Sequence, residues 1–231
     1  MDLLSPTEGF ANPHDVVEVC AHPYAHRTIR PWPRPSASRP NLGASRERLI
    51  EPPDSIRFLQ GYDGTDGLFG VTPPLVREGV ADLLVRAQAS LPQSLSLVVL
   101  DAWRPLALQR ALMAHYGAEA TSNGYVSSAS EPGFVPPHVS GGAVDLTLDA
   151  GRGPLALGTQ FDDFTTKAHA TSLESNPMSL DCRLRRLLFW AMVEAGFAPL
   201  SIEWWHYSYG DQNWADYFSL PQSLYGAATP V

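Results

Sequence analysis

Residues 143–148 read Ala143-Val144-Asp145-Leu146-Thr147-Leu148, and their strict alternation decides the fold. In a strand, Val144, Leu146 and Leu148 share one face, suited to a core, while Ala143, Asp145 and Thr147 share the other, suited to chemistry. Upstream, the apolar run Leu95–Leu100 predicts a buried strand, and the aromatic stretch Glu203–Tyr209 predicts another. Helical spacing appears three times. Val76, Val80, Leu83, Leu84 and Ala87 predict a helix with Thr72 as N-cap, Pro73 and Pro74 in its first turn, and Pro92 ending it. Leu108, Ala111, Leu112 and Tyr116 predict a helix over Leu106–Tyr116 with Gly117 just past its end, before a Ser-, Gly- and Pro-rich loop over Ala118–Pro137. Leu184, Leu187, Leu188, Ala191, Met192 and Ala195 predict a third, capped by Asp181 and stopped by Gly196.

Few strands and no βαβ rhythm give an α+β fold: a single domain with a small, mostly antiparallel sheet flanked by helices. Residues 1–70 differ. Pro31, Pro33, Pro35, Pro40, Pro52 and Pro53 remove backbone donors, so an irregular arm packed on a domain of residues 71–231 is expected. Trp32, Ile56, Phe58, Leu59 and Phe69 would dock it, and Ser55–Gln60 reads as a short strand.

Composition narrows the function. The 231 residues hold 16 Lys+Arg against 24 Asp+Glu, a formal charge of −8. That balance opposes nucleic-acid binding, which needs a basic face. With 44% hydrophobic residues the chain can bury a core. No apolar run reaches the roughly 18 residues of a membrane span, and no signal-like start is visible, so a soluble cytoplasmic protein is expected. Cys20 and Cys182 make no disulfide framework, and reduced thiols are expected.

Among seven histidines, His138 stands out. It lies seven residues before Asp145, with Gly141-Gly142 between them to turn the backbone back. Imidazole plus carboxylate suits zinc. Glu203-Trp204-Trp205-His206 offers a third ligand, His206, and an acid, Glu203, placed to serve as general base. Positions three apart on an ideal strand face opposite ways, so both can reach one ion only across a bend or bulge. The alternative is that the tryptophans are core anchors and the flanking polar groups merely satisfy them. Asp101-Ala102-Trp103-Arg104 follows the buried strand. Arg104 either faces a cleft, where it can stabilise an oxyanion, or is salt-bridged to Asp101. Cys20, His22 and His26 fall short of a four-ligand zinc pattern.

Taken in order, Asp101-Ala-Trp-Arg104-Pro, His138-x-x-Gly141-x-Ala143-x-Asp145 and Glu203-x-x-His206 resemble the signature of the D-alanyl-D-alanine dipeptidases over about residues 72–210. These are the vancomycin-resistance type of zinc metallopeptidase, related to D-Ala-D-Ala carboxypeptidases and hedgehog domains. The resemblance implies one zinc ion held by His138, Asp145 and His206, Glu203 as catalytic base, Arg104 as transition-state stabiliser and a small dipeptide as substrate. Leu157-Gly158-Thr159-Gln160-Phe161-Asp162 resembles the family segment whose aspartate receives the substrate amine, which implies that role for Asp162, or for its neighbour Asp163. Where the family has a serine two residues before the first histidine, this chain has Pro136. A D,D-carboxypeptidase on peptidoglycan stems and a zinc-dependent binding module stay open. So does a non-haem iron oxygenase, although its usual His-x-Asp spacing is tighter.

Overall fold

The computed structural model describes residues 1–33, 39–59, 62 and 73–230. In chain order these form α1 (Pro6–Gly9), α2 (Pro13–Ala21), α3 (Pro23–His26), β1 (Leu49–Ile50), β2 (Arg57–Phe58), β3 (Val76–Arg77), α4 (Glu78–Ala89), β4 (Ser96–Asp101), α5 (Leu106–Ser122), α6 (Pro137–Ser140), β5 (Ala143–Asp149), α7 (Leu180–Ala195), β6 (Ala198–Leu200), β7 (Glu203–Ser208) and α8 (Gln212–Tyr217). The larger sheet runs β2-β4-β5-β7-β6, and β1 and β3 pair separately. In the larger sheet β2 lies parallel to β4, while the pairs β4–β5, β5–β7 and β7–β6 are antiparallel. This is the expected α+β architecture.

The alternating segment becomes β5, the middle strand. Val144, Leu146 and Leu148 join one core with Val80, Leu84 and Ala87 of α4 and Leu184, Leu188 and Met192 of α7. Each such buried Val, Leu or Met side chain contributes about 1.5–3 kcal/mol, so this face anchors the sheet. Towards α5, a smaller cluster of Leu108, Leu112, Ala120 and Val126 takes Tyr116 and Phe164 against it.

Two irregularities in the sheet matter for the site. Between Val99 and Asp101, β4 advances two residues while β5 advances one, and this bulge sets Asp101 opposite Asp145. Without it Leu100 would occupy that position. Against β6, β7 advances four residues while β6 advances one, between the pairs Pro199–Tyr207 and Leu200–Glu203. The distortion demanded by the Glu203–His206 spacing is therefore present.

Several boundaries move. The apolar stripe beginning at Val76 predicts helix, but Val76 and Arg77 pair with Ile50 and Leu49, and α4 starts only at Glu78. Strand pairing outcompetes local spacing there. Pro73 and Pro74 are not helical, and Thr72, the expected cap, lies outside the described residues, as do Pro35, Gln60 and Phe69. The cap of α7 is Ser179, whose side chain accepts from the Cys182 amide, with Asp181 in the first turn; Gly196 ends the helix as expected. Gly117 does break α5, at φ 81°, but helical turns resume and continue to Ser122.

The first 26 residues carry three short helices that breaker counting overlooks. Pro6, Pro13 and Pro23 each open one, where a missing N–H costs nothing. Leu3, Val19 and Ala25 from this stretch are buried in the main core. Both cysteines are free thiols.

Candidate active site

Three elements deliver three ligating side chains. His138 sits on α6, whose four residues end at Gly141 in the left-handed region, φ 74°. Glycine adopts that conformation without the Cβ penalty. At Gly142 a Cβ would lie 2.3 Å from the Tyr209 carbonyl oxygen, so the second glycine permits the close backbone approach that joins α6 to β5. Asp145 lies on β5, and His206 is its register partner on β7. All three are buried.

His138 Nε2 is 3.3 Å from His206 Nδ1. Asp145 Oδ1 is 2.9 Å from His206 Nδ1, and its Oδ2 is 3.4 Å from His138 Nε2. One donor atom from each residue can be chosen so that all lie within 4.8 Å of one another. The outward nitrogens are occupied: His138 Nδ1 lies 2.8 Å from the Ala102 carbonyl oxygen, and His206 Nε2 lies 3.3 Å from Ser208 Oγ. A carbonyl only accepts, so the His138 proton resides on Nδ1 and a lone pair points inward. Two imidazole lone pairs and a carboxylate fit a divalent metal of zinc type, with room for a further ligand. Among the described residues no other group of three such side chains converges in this way. Near Cys20, His26 Nε2 instead meets the Cys20 carbonyl, and His22 caps α3.

Electrostatics follow from burial. For Asp145, burial opposes ionisation, yet His138 and His206 outweigh it and hold the carboxyl well below the usual range. For His138, burial and Arg104 oppose the charged form, but Asp145 and Asp101 raise its pKa overall. Glu203 Oε2 is 3.9 Å from His206 Nδ1. Burial pushes the Glu203 carboxyl well up, and the charges of Asp145 and Asp162 add to it against Arg104. Trp204 and Trp205 are buried in the core, so the tryptophans anchor the strand while Glu203 and His206 on either side line the cavity.

Arg104 satisfies both readings of its motif. Its Nε bonds Asp101, Nη1 donates to Gln109 Oε1 at 3.1 Å, and Nη2 donates to Tyr62 Oη at 3.2 Å and reaches Asp145 Oδ2 at 3.4 Å. Burial works against its charge, but Asp101, Tyr62 and Asp145 more than compensate and raise its pKa. It is both salt-bridged and aimed at the site.

Asp162 adopts φ 59°, and its carboxylate accepts from the hydroxyls of Tyr116 (2.8 Å) and Tyr62 (3.2 Å). Burial and the Asp145 charge raise its pKa to about 6. Asp162, His138, Asp145, His206, Glu203 and Arg104 all line one cavity of about 240 Å³, a lining that does not include Asp163. Sequence reading overlooks Tyr62, Tyr116 and Gln109. Tyr116 falls in an apolar stripe and reads as core, whereas nothing in the local sequence marks Tyr62.

Comparison with known proteins identifies relatives of the chain. The family model described as D-ala-D-ala dipeptidase matches residues 68–223. The chain is 30% identical over 182 residues to the D-alanyl-D-alanine dipeptidase of Synechocystis sp., an alignment covering 63% of this chain and 73% of the relative. It is 35% identical over 109 residues to that of Enterococcus faecium, covering 45% of this chain and 48% of the relative. With the Escherichia coli protein of the same name it shares 32% over 120 residues, covering 49% and 54%. A family match across most of the chain, on a fold that gathers two histidines and an aspartate beside a buried glutamate, means that the chain belongs to the D-ala-D-ala dipeptidase family of metallopeptidases.

Proposed function

We propose that the protein hydrolyses a small dipeptide with a free amino end, D-alanyl-D-alanine foremost, at a single zinc ion held by His138, Asp145 and His206. The observation that carries this reading is the convergence of these three side chains in a cavity that Glu203 also lines. When bound, zinc would supply Lewis-acid polarisation of the scissile carbonyl and lower the pKa of water.

The side chains do the rest. Glu203 takes a proton from the attacking water and passes it to the departing amine. Burial raises its pKa above the ordinary carboxylate range, which makes it a stronger base when ionised. Arg104, fixed by Asp101 and Gln109, holds a permanent positive charge against the developing oxyanion, a contribution typically of about 3–4 kcal/mol to the barrier. Asp162 accepts the substrate ammonium group. The Tyr62 and Tyr116 hydroxyls hold its carboxylate in place.

The test is a panel of D,D-, L,D- and L,L-dipeptides, with N-acylated D-alanyl-D-alanine, offered to zinc-loaded wild type and to Glu203→Ala. The expected result is hydrolysis of the free D,D-dipeptide, poor hydrolysis of the acylated one, and a loss of about 10²–10⁴-fold in kcat for the variant with zinc retained. Preference for the acylated substrate would instead favour a carboxypeptidase. No hydrolysis of any member would favour a binding module.

A further inference from the structure

A free dipeptide carries two charges, and the reading above, on which this inference rests, gives a partner only to its amine. Two permanent cations line the cavity among the described residues, Arg104 and Arg39. Arg104 is already committed, with Asp101, Gln109, Tyr62 and Asp145 engaging its three nitrogens and the remaining charge assigned above to the oxyanion. Arg39 is differently placed. Its Nε and Nη2 donate to Glu131 at 2.9 and 3.3 Å, and its guanidinium carbon lies 3.8 Å from the centroid of the Phe134 ring. The ring fixes the plane of the fork. Nη1 makes no hydrogen bond among the described residues.

We infer that Arg39, delivered by the N-terminal segment, is the subsite for the substrate's terminal carboxylate. The Arg39 and Glu131 side chains are 29% and 42% exposed. A pair so open to solvent contributes about 0–1 kcal/mol, so a carboxylate can bind at Nη1 or displace Glu131 at little cost. Planar, two-point recognition of a carboxylate is what a guanidinium does best. Arg39 also precedes residue 68, where the family match begins. This subsite therefore belongs to the part of the chain outside that match, and it sets a requirement for a free carboxyl end.

Binding tests this directly. Calorimetric Kd values are measured for D-alanyl-D-alanine and for its C-terminal amide on zinc-loaded Glu203→Gln, which slows turnover, with Arg39 intact or changed to Gln or Lys. Arg39→Gln is expected to weaken the acid about tenfold and leave the amide within about twofold, with Arg39→Lys in between. Glu131→Gln, which removes the competing carboxylate, is expected to tighten the acid. Equal weakening of acid and amide would reduce Arg39 to a structural role. No weakening of the acid would assign its carboxylate to neutral donors such as Ser128. Either result overturns the inference. Wild type that binds the acid through Arg39 yet hydrolyses no dipeptide breaks the hydrolytic reading alone, so the two failures are distinguishable.

Discussion

The floor of the cavity and the outer surface of the N-terminal segment use the same chemistry in opposite solvents. On the floor, the Arg104 and Asp101 side chains are 9% and 8% exposed, and each polar atom of the guanidinium has a partner. In the N-terminal segment, Arg27 bonds Glu194 with side chains 47% and 45% exposed, its guanidinium carbon 3.4 Å from the centroid of the Trp190 ring. Water screens the second pair and not the first. A buried pair fixes geometry and is costly to break, whereas an exposed pair can exchange partners. The floor is thereby suited to holding charges still, whereas the surface pair fixes little.

The largest expected effect comes from breaking the floor. Arg104→Ala should lower kcat by about 10²–10³-fold with zinc content unchanged. It should also cost about 3–5 kcal/mol of stability in urea unfolding, since Asp101 is left buried without its cation. Adding Asp101→Ala should restore part of the stability and none of the turnover. Restoration of both would make Arg104 a packing residue.

Asp162 is intermediate. Its folded pKa of about 6 lies above its ordinary 3.8, so the fold favours the protonated form. Its ionisation therefore costs stability as pH rises from about 4 to 6, while binding of an ammonium group needs the ionised form and improves over the same range. Two outcomes follow for pH 7.5 and below. The KM for a free dipeptide should rise as pH falls through about 6. Asp162→Asn, which tolerates the left-handed backbone, should weaken binding yet raise Tm, by about 2–4 °C for each kcal/mol recovered. A variant that loses both affinity and Tm would show that the tyrosine contacts outweigh the buried charge.

The smallest effect is expected at the surface. Arg27→Met should change stability by no more than about 1 kcal/mol and leave kcat and KM unaltered. A larger loss would mean that the exposed pair and its stacking on Trp190 hold the N-terminal segment more firmly than solvent exposure implies.

The contrast between floor and surface also tracks what local sequence can reveal. His138, Asp145, Glu203 and His206 were legible because covalent spacing constrains them. Two glycines allow α6 to turn into β5, and alternation puts Asp145 on the open face. Arg104 was legible as a cation at the end of an apolar strand. Tyr62, Tyr116 and Arg39 were not, since each reaches the cavity from a segment whose own pattern says core or loop. The helix expected from Val76 failed for a related reason: its pairing partner, Leu49–Ile50, lies far away in sequence.

Sequence alone determined the α+β class, the central strand and the identities of the groups that meet there, because side-chain periodicity and short spacings are properties of the local chain. Tertiary structure alone decided where those groups stand. One bulge set Asp101 opposite Asp145, and another let Glu203 and His206 share a site. Register between strands is fixed by long-range packing and hydrogen bonding, which no local pattern encodes.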